Sequence, residues 1–282
     1  MYNIYANKGS DLMEKRDLPI GVFDSGIGGL TVLDKLIEIF PNENFVYVGD
    51  TLNLPYGTKT KEELKVLVNN VTKYLVDYPV KAICIACNTA TSASHHLHAL
   101  FTLPIVGVID PTAKYALSLG KNILVLGTNV TINSNEYQNL LDSNLSDGTR
   151  YYVRCSEFVD IVEKNKTNTK YSFEFVKEKL KSYLDKDIDV IICGCTHFGL
   201  LSNEFSKLFP KAKIIECAYP TGKELFDELQ KNNLLSNRDS KGEVIINLTK
   251  KESDFEKKIE WFKHPIKEIN EIKLRWFDEK IC

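Results

Sequence analysis

Several things are missing from this chain, and each absence removes a class of function. No apolar stretch in its 282 residues approaches the ~18 needed to suggest a transmembrane helix. The opening segment, Met1 to Pro19, carries Lys, Asp and Glu but no apolar block, so it is not expected to be a secretory signal. Neither sign of charge is in excess: 36 basic residues face 38 acidic ones, for a net charge of −2. That balance lacks the electrostatic footprint of a general nucleic-acid binder, although a small anion needs only a few local donors. Seven cysteines cannot close into pairs, and several lie in apolar runs. Reduced thiols and a cytoplasmic location are expected. Gly26-x-Gly28-Gly29 is not Gly-x-Gly-x-x-Gly, and no Lys-Ser or Lys-Thr follows it, so it lacks the signature of a nucleotide turn.

What is present fits a folded α/β chain. Hydrophobic residues make up 43% and charged residues 26%, enough for a substantial core without the signature of disorder. Beyond residue 18, where a loose extension is expected to end, short apolar runs alternate with helical spacing. Strands are expected over 19–23, 45–48, 80–86, 104–108, 123–126, 151–154, 188–193, 213–216 and 243–248. Helices are expected over 30–40, 62–78, 112–119, 135–141, 171–184, 200–209 and 222–229. Uniformly apolar strands separated by amphipathic helices predict parallel sheets covered on both faces, with ligands beyond the strand carboxyl ends.

Two segments read as copies of one unit. Ile83 to Ala90 overlays Ile191 to Phe198, each an apolar strand, a small residue, a cysteine and a polar helix opening. The pattern predicts two similar halves, each presenting one thiol, Cys87 and Cys195. A helix N-terminus at each would lower the thiol pKa. His197 and Asp24 stand at strand ends as acid–base partners. Ser25, Asn88, Thr89 and Thr196 can hold a carboxylate or amino group. Cys84, Cys155, Cys193 and Cys217 read as core thiols, and Cys282 as an exposed one. Zinc on Cys84-x-x-Cys87 is disfavoured, because Ile85-Ala86 gives no knuckle. His95, His96 and His98 read as a partly solvated helix face, and the charges from Lys250 to Lys258 as a solvated helix surface.

An ordered series of motifs then resembles the cofactor-independent glutamate racemases. It runs Ile20-Gly21-Val22-Phe23-Asp24-Ser25-Gly26-Ile27-Gly28-Gly29, Gly49-Asp50-Thr51, Pro55-Tyr56-Gly57 and Ala86-Cys87-Asn88-Thr89-Ala90. It continues with Pro104 to Val108, Gly127-Thr128-x-x-Thr131-x-x-Ser134-x-x-Tyr137, Phe158-Val159-x-Ile161-Val162-Glu163 and Gly194-Cys195-Thr196-His197. The resemblance implies two α/β domains, 19–110 with 218–282 and 111–217, with the active site between them and 1–18 outside. It implies Cys87 as the base for D-glutamate, Cys195 as the base for L-glutamate, and Asp24 and His197 as their helpers. Asp24, Ser25, Pro55, Tyr56, Gly57, Asn88, Thr89, Thr131, Thr196 and His197 match substrate-binding positions. Three places depart from the family pattern: Phe198-Gly199-Leu200 for Tyr-Pro-Leu, Arg154-Cys155-Ser156-Glu157 for an apolar residue, Cys and Pro, and Glu216-Cys217-Ala218 for Asp-Ser-Ala.

The expected activity is therefore an isomerase that interconverts L- and D-glutamate by two-base proton transfer, supplying D-glutamate for peptidoglycan. No metal and no cofactor are expected; no distinctive lysine motif for pyridoxal phosphate is visible. The expected partner is the small substrate alone, with no nucleic acid and no membrane, and a homodimer as candidate assembly. The alternatives are an aspartate or other racemase of the same superfamily, or a non-catalytic binding protein of this fold.

Overall fold

The computed structural model describes residues 14–143 and 148–275. Among the described residues, ten strands alternate with helices: β1 Ile20–Asp24, β2 Phe45–Gly49, β3 Ala82–Ile85, β4 Ile105–Gly107, β5 Ile123–Gly127, β6 Arg150–Arg154, β7 Val190–Gly194, β8 Lys213–Glu216, β9 Val244–Leu248 and β10 Glu268–Glu271. They form two parallel sheets. The six-stranded sheet has the order β10-β9-β2-β1-β3-β4, and the four-stranded sheet the order β6-β5-β7-β8. β1, β2, β3, β5 and β7 are buried along their whole lengths, as strands covered on both faces must be.

Helices close each face. Leu30, Leu33 and Leu36 of helix Leu30–Ile39 pack with Leu225 and Leu229 of helix Ala218–Lys231 over Ile20, Val22 and Tyr47. The opposite face meets Val68, Val71 and Leu75 of helix Lys61–Asp77. Thr60 caps that helix reciprocally with Glu63, which fixes where it starts. In the second sheet, Val125 and Ile192 pack against Ala113 and Ala116 of helix Ile109–Leu119, and Leu124 and Ile191 against Val176 and Leu180.

The structure corrects several boundaries. Helix Ile109–Leu119 starts ahead of the expected 112, and helix Ala218–Lys231 ahead of 222. Each absorbs a proline in its first turn, Pro111 or Pro220, where the missing N–H costs nothing. The expected helix 200–209 divides into a 3-10 turn, Phe198–Leu201, and a helix, Ser202–Leu208. β10 was not expected: it is a polar edge strand with no apolar run. The histidines do not share one helix, because the turn after Asn88–Thr91 separates His95 and His96 from helix Leu97–Leu100. A carboxylate does stand beside one of them, His95 Nε2 meeting Glu136 Oε1 at 2.7 Å. The 250–258 stretch is helical only over Phe255–Lys258. The extension is ordered sooner than expected. Lys15–Asp17 form a 3-10 turn, Leu18 is buried, and Lys81 Nζ and Arg238 Nη2 donate to the carbonyls of Arg16 and Asp17. Cys282 lies outside the described residues. No described helix is long and apolar enough to cross a membrane.

Candidate active site

The carboxyl ends of both sheets open onto one cavity of about 200 Å³. The first sheet's half contributes Ser25 after β1, the Pro55-Tyr56-Gly57 turn after β2, and Cys87, Asn88 and Thr89 after β3. The second half contributes Thr128 after β5 and Cys195, Thr196 and His197 after β7. The two thiols that the sequence singled out therefore line the same cavity from different sheets. A wider groove of about 570 Å³ beside β4 contains neither. Among the described residues, no group of three or more His, Cys, Asp or Glu side chains could hold a metal ion.

Cys87 caps the one-turn helix Asn88–Thr91, accepting the Ala90 N–H at 3.4 Å, and its Sγ lies 3.7 Å from Ser25 Oγ. The expected lowering of its pKa does not occur. Burial, reinforced by the charge of Asp24, pushes the Cys87 thiol up to about 12, against the opposing help of Ala90 N–H and Ser25. One helical turn supplies too little dipole to offset desolvation. Cys195 differs again. No helix begins directly after it, and its partner is His197, whose Nδ1 lies 3.7 Å from the sulfur. Burial would lower the pKa of His197. The hydrogen bonds and charges of Cys195 and Glu163 outweigh that effect and lift it to about 10.

Asp24 and Thr131 do not line the cavity; both lie fully buried behind its wall. Asp24 Oδ1 accepts the Gly26 N–H at 2.9 Å, and Oδ2 accepts from Thr196 at 3.4 Å. Its carboxyl is raised by burial, opposed by the His197 charge and by hydrogen bonds from Gly26, Gly29 and Thr196. Thr131 shares a triangle of hydroxyls with Thr89 and Thr128, at 3.0 to 3.2 Å. Tyr56 reaches past the wall to donate to Asp50 Oδ2 at 2.6 Å.

Sequence reasoning gave no role to Glu163, whose Oε1 holds His197 Nε2 at 2.6 Å. It stood inside a matched motif, but nothing in its spacing pointed to a partner 34 positions away. Thr128, Ser156, Glu157, Val159 and Asp160 were also missed as lining residues. Thr128 had a signal, a strand end at Gly127, and Val159 and Asp160 stood inside the matched Phe158 to Glu163 motif, whereas Ser156 and Glu157 had none.

The chain is similar to known proteins over most of its length. A glutamate racemase of Clostridium botulinum is 37% identical over 239 residues, covering 83% of this chain and 92% of its own. The structure of a glutamate racemase isoform from Bacillus anthracis superposes with a TM-score of 0.86 at 34% identity, covering 92% of this chain and 98% of the other. That of the Francisella tularensis enzyme in complex with D-glutamate gives 0.85 at 30% identity, with the same coverage. The family model described as Asp/Glu/Hydantoin racemase matches residues 20–218, and the chain belongs to that family.

Proposed function

We propose that the protein is a glutamate racemase, interconverting L- and D-glutamate with Cys87 and Cys195 as the two acid–base groups. Membership of the racemase family makes it an isomerase. The observation that carries the finer reading is the single cavity lined by one thiol from each sheet. At about 200 Å³ it is below the ~300–1,000 Å³ of drug-sized sites, which suits a small amino acid.

Racemisation breaks the Cα–H bond on one face and forms a new one on the other. Cys195 takes the proton of L-glutamate onto its sulfur while the S–H of Cys87 delivers its own proton to the opposite face; D-glutamate reverses the roles. With its thiol pushed up to about 12, Cys87 holds a proton at neutral pH. His197, lifted to about 10, holds one beside Cys195 and supplies positive charge to an anionic sulfur. The carbanion-like transition state places charge on the α-carboxylate. The hydroxyls of Ser25 and Thr89 and the N–H groups of the Cys87-Asn88-Thr89 turn are the donors suited to hold it, while Thr196 donates to Asp24. We read 19–110 with 218–282, and 111–217, as the two domains, in keeping with the two sheets, and D-glutamate supply for peptidoglycan as the biological role.

Circular dichroism of L-glutamate and L-aspartate solutions tests the reading. The protein should abolish the glutamate signal with no added cofactor and leave aspartate far slower. Cys87→Ser and Cys195→Ser should each stop racemisation from either enantiomer while keeping the folded spectrum. Near wild-type racemisation by either variant would refute the two-thiol assignment.

A further inference from the structure

A chain of hydrogen bonds joins the two thiol-bearing segments, and the proton transfers described above do not use it. Tyr137, on helix Glu136–Asp142 of the second half, donates its hydroxyl to Asn88 Oδ1 at 2.8 Å. With Oδ1 so engaged, the amide turns its Nδ2 to Cys217 Sγ, at 3.4 Å. Cys217 donates in turn to the backbone carbonyl of Cys193 at 3.3 Å. Asn88 directly follows Cys87, and Cys193 lies on β7 two residues before Cys195. The chain thus begins on a helix of the second half, passes through the turn of one thiol, and ends on the strand of the other.

One feature separates it from ordinary packing. Tyr137, Asn88, Cys217 and Cys193 are all 4% exposed or less, so water does not compete for the bonds. The Cys217 sulfur also lies 3.9 Å from the Tyr137 hydroxyl and 3.7 Å from Asn88 Oδ1, so these three side chains meet at more than one point. The hydroxyl triangle of Thr89, Thr128 and Thr131 also crosses between the halves, but it joins the Cys87 turn to the end of β5 and not to β7. The Asn88 amide is also engaged at both ends, which leaves at most one of its hydrogens for a ligand.

We propose that this chain is a tie that fixes the spacing of Cys87 and Cys195 across the cavity, with Tyr137 and Cys217 as its positioning residues. It rests on the two-thiol reading. Racemisation needs both sulfurs in register with one substrate carbon, on opposite faces, in the same complex. A misplacement of ~1 Å can cost ~10²-fold. A reaction needing one deprotonation requires only one sulfur in place.

The experiment compares Tyr137→Phe, Cys217→Ala and Cys217→Ser with the wild type on two probes. One is racemisation of each glutamate enantiomer. The other is loss of HCl from the L and D enantiomers of threo-3-chloroglutamate, in which a single α-proton goes to one sulfur, chloride leaves the β-carbon and a Cα=Cβ bond forms. Tyr137→Phe and Cys217→Ala should lower the racemisation kcat by ~10–10²-fold with KM changed little. Elimination from at least one chloroglutamate enantiomer should stay near wild type. Cys217→Ser, which keeps a donor and an acceptor, should retain both activities. The tie is overturned if Ser and Ala at 217 behave alike, or if elimination falls in parallel with racemisation for both enantiomers. Loss of the cooperative melt in both Tyr137→Phe and Cys217→Ala overturns it as well, since the chain is then a folding element. A wild type that does not racemise glutamate refutes the two-thiol reading instead, and is read before any variant.

Discussion

His197 is where two opposed effects meet, and the balance between them can be measured. Burial favours the neutral ring, while Glu163 at 2.6 Å and Cys195 at 3.7 Å favour the charged one and prevail, lifting it to about 10 from an ordinary value of 6.5. A group raised on folding contributes stability that is fully present below its unfolded value and is lost as pH rises through its folded value. The wild type should therefore lose melting temperature between about pH 6.5 and 10, over a window in which His197→Asn loses less. Glu163→Gln should move the ring's NMR titration towards neutrality; a titration unmoved by that change would exclude Glu163 as the group that holds the charge. Cys87, Cys195 and His197 were legible in the sequence because strand-end cysteines followed by polar residues are a local pattern. Glu163 was not, since its role depends on the side of helix Glu157–Glu163 that faces the β7 turn.

At the scale of elements, the site is made by turns that approach each other closely. Gly26 to Gly29 lack the spacing of a nucleotide turn, and the structure gives two of these glycines different neighbours. A Cβ on Gly28 would lie 2.6 Å from Thr196 Oγ1 and 2.9 Å from the His197 ring, across the cleft. The three atoms nearest to a Cβ on Gly26 all belong to the Leu54 side chain, the first at 3.1 Å. Gly28→Ala should thus displace the Cys195-Thr196-His197 turn and reduce kcat/KM by ~10-fold or more, overpacking of this kind costing ~1–3 kcal/mol. Gly26→Ala, where one flexible side chain can give way, should remain within a few-fold of wild type. Equal losses from the two alanines would show that the first loop, and not the cross-cleft approach, governs the effect. Periodicity located the apolar strands within a few residues. It missed the helices Asn129–Asn133 and Glu157–Glu163, which are too short to establish a period, and β10, which has no apolar face to reveal it.

At the scale of the whole molecule, the six-stranded sheet depends on a return of the chain that local pattern could not supply: alternation gives parallel strands, not their order. β9 enters between β2 and β10, pairing Phe45 with Val244 through to Gly49 with Leu248. Its buried Val244, Ile246 and Leu248 complete the core over Phe45 and Tyr47. The return also reaches the site. Thr249, just past β9, donates to Asp50 Oδ1 at 2.8 Å, and the other oxygen of Asp50 accepts from Tyr56 at 2.6 Å. The residue after β9 therefore helps hold a wall of the cavity that runs from Leu54 to Thr58. A chain ending at Lys241 removes an interior strand and uncovers the row of Phe45, Tyr47 and Gly49. It should show no cooperative melt and no racemisation. Thr249→Val isolates the second role, since it keeps the shape and removes one hydroxyl. The loss of that hydrogen bond to a charged group, worth ~1.5–3 kcal/mol, leaves Asp50 and Tyr56 less constrained. The expected result is a modestly lower melting temperature and a raised KM for glutamate, with kcat little changed, because Tyr56 lines the cavity while neither sulfur has moved. A fall in kcat at unchanged KM would instead place Asp50 in line with proton transfer, and the wall and the thiols would have to be treated as one coupled unit.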